Sequence, residues 1–143
     1  MRQLYRLFFY VFLPLLVGFI IYVFFRKPGL LLDHWFPFMD ALRPHMPYRL
    51  GDSRFAEFVL FQLPDALWAF ALMYVFLVIW KDAKNSMKFL WVLIGVLFIY
   101  SIEFSQYLGS GTFDILDVIA ITIAMGLAFY ASMRSLRFGD RLN

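Results

Sequence analysis

Long apolar runs separated by short polar stretches dominate the chain. Four of these runs are each long enough to cross a hydrocarbon core of ~30 Å, and they occupy residues 7–25, 64–80, 89–108 and 115–133. In lipid the backbone must satisfy its own hydrogen bonds, so runs of this length and polarity form helices. The pattern therefore predicts four transmembrane helices that pack as a bundle.

The stretch between the first two runs, residues 26–63, does not have the pattern of a plain linker. Its aromatic segment at residues 35–38 is too apolar to stay in water and is expected to lie at the membrane interface. Residues 52–62 have the pattern of a short amphipathic helix that rests on the membrane surface. Pro64 fits the first position of the second transmembrane helix, where its missing N–H leaves no helical hydrogen bond unmade.

Composition agrees with a membrane protein. The 143 residues are 63% hydrophobic and 22% aromatic, and a water-soluble core of this size could not bury so much apolar surface. We therefore predict an all-α integral membrane protein with one domain over residues 1–143: a four-transmembrane-helix bundle with an interfacial outer loop and short helix between helices 1 and 2. The chain has no cysteine, which excludes disulfides, thiolate metal sites and cysteine nucleophiles.

Basic residues at the membrane borders orient the bundle. They lie before the first run, between the second and third runs, and after the fourth, so four crossings place all three groups on the same side. The positive-inside rule then predicts cytoplasmic termini and an external loop at residues 26–63. We interpret these residues as topology signals, with no nucleic-acid partner. They are Arg2, Arg6, Lys81, Lys84, Lys88, Arg134, Arg137 and Arg141.

This topology gathers polar residues at the outer end of the bundle. Glu103 lies within an apolar helix, where lipid cannot solvate a carboxylate, and such a residue marks a functional site by default. Gln106 and Tyr107 share its helix face. The candidate outer polar cluster comprises Asp65, Glu103, Gln106, Tyr107, Asp114 and Asp117, with Arg43, Arg49 and Arg54 of the outer loop as the available cations.

Each member also has a purely structural interpretation. Glu103 could be protonated, or paired with a loop arginine, and only hold helices together. Asp114 and Asp117 have the spacing of residues that cap a helix N-terminus and face its dipole, and Thr112 could cap the helix just as well. Asp65 fits the first turn of the second helix equally well. Taken singly, each aspartate is better explained as a helix-terminal residue; taken together, their convergence on Glu103 favours a binding pocket.

A stripe of small residues runs along the fourth helix at Ala120, Ala124, Ala128 and Ser132. Small side chains let membrane helices approach closely, so this face is expected to contact another helix within the chain, in a homo-oligomer or in a membrane-protein partner. The acids and histidines of the outer loop lack standard metal-ligand spacing. Since no catalytic, phosphate-binding or dinucleotide-binding motif is present either, we expect no metal and no cofactor and assign no catalytic residue.

The region around the third and fourth helices resembles the conserved end of VanZ-like proteins. These are small bacterial multi-helix membrane proteins associated with teicoplanin (glycopeptide) resistance. The resemblance implies a multi-pass protein of the bacterial cytoplasmic membrane with an effect on susceptibility to cell-envelope antibiotics. It spans roughly residues 102–129 and rests on Glu103-x-x-Gln106, then Gly111-Thr112-Phe113-Asp114-x-x-Asp117, then Gly126 in an apolar helix.

The chain also departs from the family pattern. No arginine precedes the aspartate pair, and Ile121 stands where an asparagine is usual. The family's Asp-Lys-x-x-His pattern is matched only at Asp65, with Ala66 and then Trp68 or Ala69 in place of the lysine and histidine. If the missing residues serve chemistry in the family, this chain binds without catalysing or belongs to a divergent branch.

These observations predict an outward-facing acidic pocket that binds a membrane lipid or an amphiphile and affects antibiotic susceptibility. One alternative is a structural subunit of a larger membrane complex, which nineteen Phe and the small-residue stripe would suit. The other is a membrane enzyme acting on a lipid headgroup, with Glu103 as general base and Asp114 or Asp117 positioning the substrate. No chemistry-specific motif supports the enzyme, so binding ranks above it.

Overall fold

A computed structural model describes residues 2–25, 38–42, 53–108 and 114–140 of the protein. Four segments of this part of the chain are long and apolar enough to cross a membrane: Leu4–Phe25, Arg54–Ile79, Asn85–Ile102 and Ile115–Ser135. The predicted all-helical architecture with four potential membrane spans is confirmed. The elements are α1 (Arg2–Leu7), a π-helical segment (Phe8–Phe12), α2 (Leu13–Phe25), α3 (Met39–Leu42), α4 (Arg54–Ile79), α5 (Asn85–Leu108) and α6 (Ile115–Asp140).

The first spanning helix combines α1, the π-helical segment and α2. The N–H of Leu13 donates to the carbonyl of Phe8, five residues back instead of four. This wider turn comes directly before Pro14, whose ring would crowd the carbonyl of Tyr10 in a regular helix and which has no N–H to donate. We attribute the irregularity to this proline, because insertions of this kind relieve the strain that an interior proline causes.

The second spanning helix, α4, starts well before the predicted position. It begins at Arg54 and continues without a break through Pro64, which is buried in the helix interior. The side chain of Ser53 caps the helix by accepting the N–H of Ala56 at 3.2 Å. The predictions of a separate surface helix over residues 52–62 and of a helix start at Pro64 are therefore wrong.

Tertiary packing brings Gly18 of α2 close to Pro64 and Trp68 of α4. A Cβ added at Gly18 would collide with the indole of Trp68, at 2.8 Å from Cδ1, and would lie 3.3 Å from the carbonyl oxygen of Pro64. The backbones of α2 and α4 therefore approach closely at this point, which only glycine permits. The ring of Trp68 also packs against the ring of Tyr22, with ring centroids 5.8 Å apart.

The substitution Gly18→Ala is expected to destabilise the protein by about 1–2 kcal/mol, because Trp68 must move away from a position that Tyr22 supports. Thermal unfolding in mild detergent measures this change. The matched control is Gly126→Ala in α6, where an added Cβ meets nothing within 4 Å. That control should be neutral or stabilising by up to about 1 kcal/mol, since alanine favours a helix. Equal melting temperatures for the two variants would contradict a close crossing at Gly18.

Helix α4 is the centre of the bundle, since α2, α5 and α6 all pack against it. The ring of Tyr10 stacks on Tyr74 with centroids 4.8 Å apart, while Gly18 further along faces the earlier part of α4, so the first helix and α4 are antiparallel. Gln62 contacts Asp114 and Tyr74 contacts Ser135, so α4 and α6 run in the same direction. The chain therefore follows the up-and-down order expected for four successive crossings.

The other two spanning helices extend beyond the predicted borders on the side opposite the candidate cluster. Helix α5 (Asn85–Leu108) starts four residues before the predicted start at residue 89. Helix α6 starts at Ile115, as predicted, and continues to Asp140, past the predicted end at residue 133. Both extensions lie where the sequence becomes more polar. A helix can continue beyond the apolar run that crosses the membrane, so the length of the run underestimates the length of the helix.

The small-residue stripe of α6 is used within the chain. Ala120, Ala124, Ala128 and Ser132 are all buried. They face the middle of α4, where their neighbours in the core include Ala66 and Met73. Small side chains allow the close approach of the two helices. The face that carries the stripe is therefore covered by α4 within the chain.

Candidate functional site

One end of the bundle brings a polar contact from α4 to the start of α6. The side-chain amide of Gln62 donates to Oδ2 of Asp114 at 3.4 Å, across 52 residues of sequence. Gln62 is 5% exposed, and an unpaired amide at such a buried position would be costly. The contact therefore joins the two helices at the depth where α6 begins.

Two further aspartates lie one turn away from this contact. Asp117 follows Asp114 on α6 and is 7% exposed, on the face that also carries Ala120 and Ala124. Asp65 follows Gln62 on α4 and is half-buried. Gln62, Asp65, Asp114 and Asp117 thus lie on the two helix faces that pack together, and we call these four residues the polar cluster.

Asp114 has a defined structural role. Its Oδ1 accepts the N–H of Leu116 at 3.0 Å, and its backbone carbonyl accepts the N–H of Asp117 at 3.0 Å. Asp114 is therefore the N-cap of α6, and Asp117 lies in the first turn near the positive end of the helix dipole. The capping interpretation of Asp114 is confirmed, and its second carboxylate oxygen remains available for the contact with Gln62.

The prediction that Asp65 lies in the first turn of the second helix is wrong. Because α4 begins at Arg54, Asp65 lies in the helix interior and cannot act as a first-turn residue. Ser53 and Glu57 occupy the terminal positions in its place. Asp65 is therefore a half-buried carboxylate inside a long apolar helix, one turn from Gln62 on the same helix.

The third helix reaches the same end of the bundle. The hydroxyl oxygens of Tyr100 and Thr122 are 2.6 Å apart, which aligns α5 and α6 as antiparallel neighbours. The last turns of α5 therefore lie at the same end of the bundle as the first turns of α6. Glu103, Gln106 and Tyr107 lie on these last turns, and only their backbone is described.

The predicted cations of the outer loop are not part of the described site. Arg43 and Arg49 lie outside the described residues. Arg54 is the first residue of α4 and is exposed, at about 12 Å along the helix axis from Gln62. The described cluster therefore comes from Asp65, Asp114 and Asp117 of the predicted set, together with Gln62.

Sequence reasoning missed Gln62, because residues 52–62 were assigned to a surface helix. The spacing of Gln62 and Asp65 could have identified it. The two residues are three positions apart, which places them on one face of any helix that contains both. A carboxamide one turn from a carboxylate inside an apolar stretch indicates a shared polar contact. The signal depends on α4 continuing through Pro64, which the sequence pattern argued against.

The chemistry of the polar cluster is dominated by hydrogen-bond acceptors. Three of its side chains are carboxyl groups, and the fourth is a carboxamide with two N–H donors and one acceptor oxygen. It has no hydroxyl, thiol or imidazole group. The arrangement therefore suits a partner that presents N–H or O–H donors or a positive charge, more than it suits nucleophilic chemistry.

Fold and cluster together define a class: a protein that is all-helical over its described residues, with four potential membrane-spanning helices and a partly buried polar cluster at one end of the bundle. Comparison with protein-family models, curated proteins and solved structures gave no match for this chain.

Proposed function

We propose that the protein is a VanZ-like membrane protein of the bacterial cell envelope whose polar cluster binds a lipid or an amphiphile from the outer side. The observation that carries this proposal is the burial of Gln62 and Asp117 at the interface of two largely apolar helices. Ionisable and polar groups are rare at such positions, and they favour a functional site. The resemblance around Glu103, Asp114 and Asp117 supports the same end of the bundle.

The position of the cluster indicates what kind of ligand reaches it. Asp114 caps α6, so the cluster lies at the end of a potential membrane span, where hydrocarbon meets the headgroup region. The molecules that present polar groups at this depth are lipids and other amphiphiles. A headgroup with N–H or O–H donors would complement the carboxylates, and Arg43, Arg49 and Arg54 would contact its anionic part.

Native mass spectrometry of the protein purified in mild detergent tests this proposal. Wild type is expected to retain a discrete lipid or amphiphile adduct, and Asp117→Asn and Glu103→Gln are expected to lose it, because each removes one candidate carboxylate. The matched control is Asp82→Asn, which neutralises an exposed acid in the turn between α4 and α5, at the other end of the bundle. Asp82→Asn should retain the adduct.

The absence of a bound lipid or amphiphile would refute the proposal. If wild type and all three variants carry no adduct and unfold at the same temperature, the cluster serves only as helix caps and interhelical contacts. The antibiotic part of the proposal has its own test, which is the susceptibility of a deletion strain. Unchanged susceptibility to both lipid-active and wall-active drugs would refute that part and leave ligand binding to be judged by the adduct.

A specific observation favours the structural-subunit alternative as well. Among the residues of α5 whose burial the structure describes, only Gly95 and Ile99 are buried. The remaining apolar residues, such as Phe89, Leu97 and Phe98, form a broad exposed face that lipid or a partner helix could cover. A subunit that needs such a partner should aggregate after purification in detergent. A stable, monodisperse monomer in size-exclusion chromatography would contradict this alternative.

A further inference from the structure

The end of the bundle opposite the polar cluster carries an excess of positive charge. Tyr74 contacts both Tyr10 and Ser135, so the start of the first helix, the end of α4 and the later part of α6 lie at one level. The loop between α4 and α5 lies just beyond that level. The described basic side chains at this end are Arg6, Lys81, Lys84, Lys88 and Arg134, and we call them the basic end.

Very little negative charge balances the basic end. Among the described side chains there, the only acid is Asp82, which is exposed and 3.7 Å from Lys81. The first turn of α5 contains no acidic residue, so the positive end of its dipole adds to the same field. Most of the positive charge is therefore free to attract an anion.

The loop between α4 and α5 is held in a compact arrangement. The ammonium group of Lys88 donates to the backbone carbonyl of Lys81 at 3.2 Å, which brings the two lysines together across the turn. Trp80, directly before Lys81, and Trp91, three residues after Lys88, stack on each other with ring centroids 4.6 Å apart and an interplanar angle of 9°. Paired tryptophans are typical of the border between hydrocarbon and headgroups, so the lysines lie at headgroup depth.

We propose that the basic end binds the phosphate headgroup of an anionic phospholipid. Charge complementarity carries the inference, because phosphate is the anion that a bilayer presents at this depth and ammonium groups bind it as strong hydrogen-bond donors. Lys88 uses one of its three N–H donors on Lys81, and the others remain for the headgroup. A signal for membrane orientation acts during insertion and needs no bound lipid, so this role goes beyond topology.

The test compares two lipids with the same acyl chains, phosphatidylglycerol and phosphatidylcholine, offered together to the full chain in mild detergent. Native mass spectrometry gives the ratio of the two bound species. Wild type should prefer phosphatidylglycerol. Each neutralised lysine should lower the ratio roughly fivefold, so the triple variant Lys81→Gln, Lys84→Gln, Lys88→Gln should lose nearly all preference. The matching triple variant with arginine should keep it.

Two controls separate the binding site from folding and from charge in general. Lys84→Gln changes only an exposed side chain, so it should fold normally and still lower the ratio. Glu57→Gln alters the net charge by one unit through an exposed side chain at the polar-cluster end and should leave the ratio unchanged. Because Asp117→Asn tests the polar cluster alone, a failure of either proposal can be told from a failure of the other.

Two results would overturn the proposal. One is a glutamine triple variant that unfolds at the wild-type temperature and still prefers phosphatidylglycerol. The other is displacement of phosphatidylglycerol by millimolar inorganic phosphate, at an ionic strength matched with chloride, which would identify a small-anion site in place of a lipid site. Matching the ionic strength matters because exposed charges are screened by any salt.

Discussion

Replacing Tyr74 by alanine is expected to lower the free energy of unfolding by about 3–5 kcal/mol. Tyr74 is 1% exposed, and its ring stacks on Tyr10 and lies 6.3 Å from the ring of Phe70. Its hydroxyl donates to Oγ of Ser135 at 3.3 Å. One side chain thus joins the first helix, α4 and α6. Alanine would leave a void among three helices and remove the dispersion contacts that hold membrane helices together.

Titration with a denaturing detergent, followed by circular dichroism, measures the loss. Tyr74→Phe keeps the ring contacts and removes only the hydroxyl, so it should cost about 1 kcal/mol. Tyr130→Ala truncates a tyrosine that is 63% exposed on α6 and should change the stability very little. If Tyr74→Ala and Tyr130→Ala lowered the stability equally, Tyr74 would not be the junction of the three helices.

The second large effect is expected for Ala128→Leu, which should destabilise the protein by about 3 kcal/mol. Ala128 is 0% exposed and lies in a core with Met73 and Leu77 of α4. No space remains between the two helices for three further carbon atoms, so leucine must push α6 away from α4. The separation would also disturb the Gln62–Asp114 contact at the end of the same interface.

Gly126→Leu is the matched control for this substitution, because it adds a leucine two positions earlier on the same helix. An added Cβ at Gly126 meets nothing within 4 Å, so the new side chain points away from the bundle. Gly126→Leu should be neutral or slightly stabilising, since leucine favours a helix over glycine. Similar unfolding curves for Ala128→Leu and Gly126→Leu would mean that the stripe does not pack against α4. The same denaturing-detergent titration serves both variants.

The architecture could be predicted from sequence because bilayer thickness and backbone hydrogen bonding constrain each apolar run separately. A run of twenty or so apolar residues has few alternatives to a spanning helix, whatever its neighbours are. The start of α6 at Ile115 was predicted correctly for the same reason, because a stretch of sequence rich in glycine and serine precedes that apolar run. Local spacing predicted Asp114 as a candidate cap, with Thr112 as an equal alternative, and the hydrogen bond to Leu116 identifies Asp114 as the cap.

The second helix shows where local reasoning stops. A proline is a good first residue of a helix, so the sequence pattern favoured a start at Pro64. The structure places Pro64 inside α4, beside the close crossing at Gly18 and Trp68. Proline in a helix interior loses one hydrogen bond, and contacts with a neighbouring helix can offset that loss. Such contacts join residues far apart in sequence, which a local pattern does not encode.

Sequence and tertiary structure also determine different features of the candidate site. Sequence alone indicated that acidic residues gather at one end, since helix order and length set their depth. Only tertiary structure decided that Gln62 faces Asp114, that Asp65 is an interior residue, and that the stripe through Ala128 packs within the chain. Depth in a bilayer follows from counting residues along one helix. The partner of each side chain depends on how helices rotate and pack against each other, which is settled by many weak contacts at once.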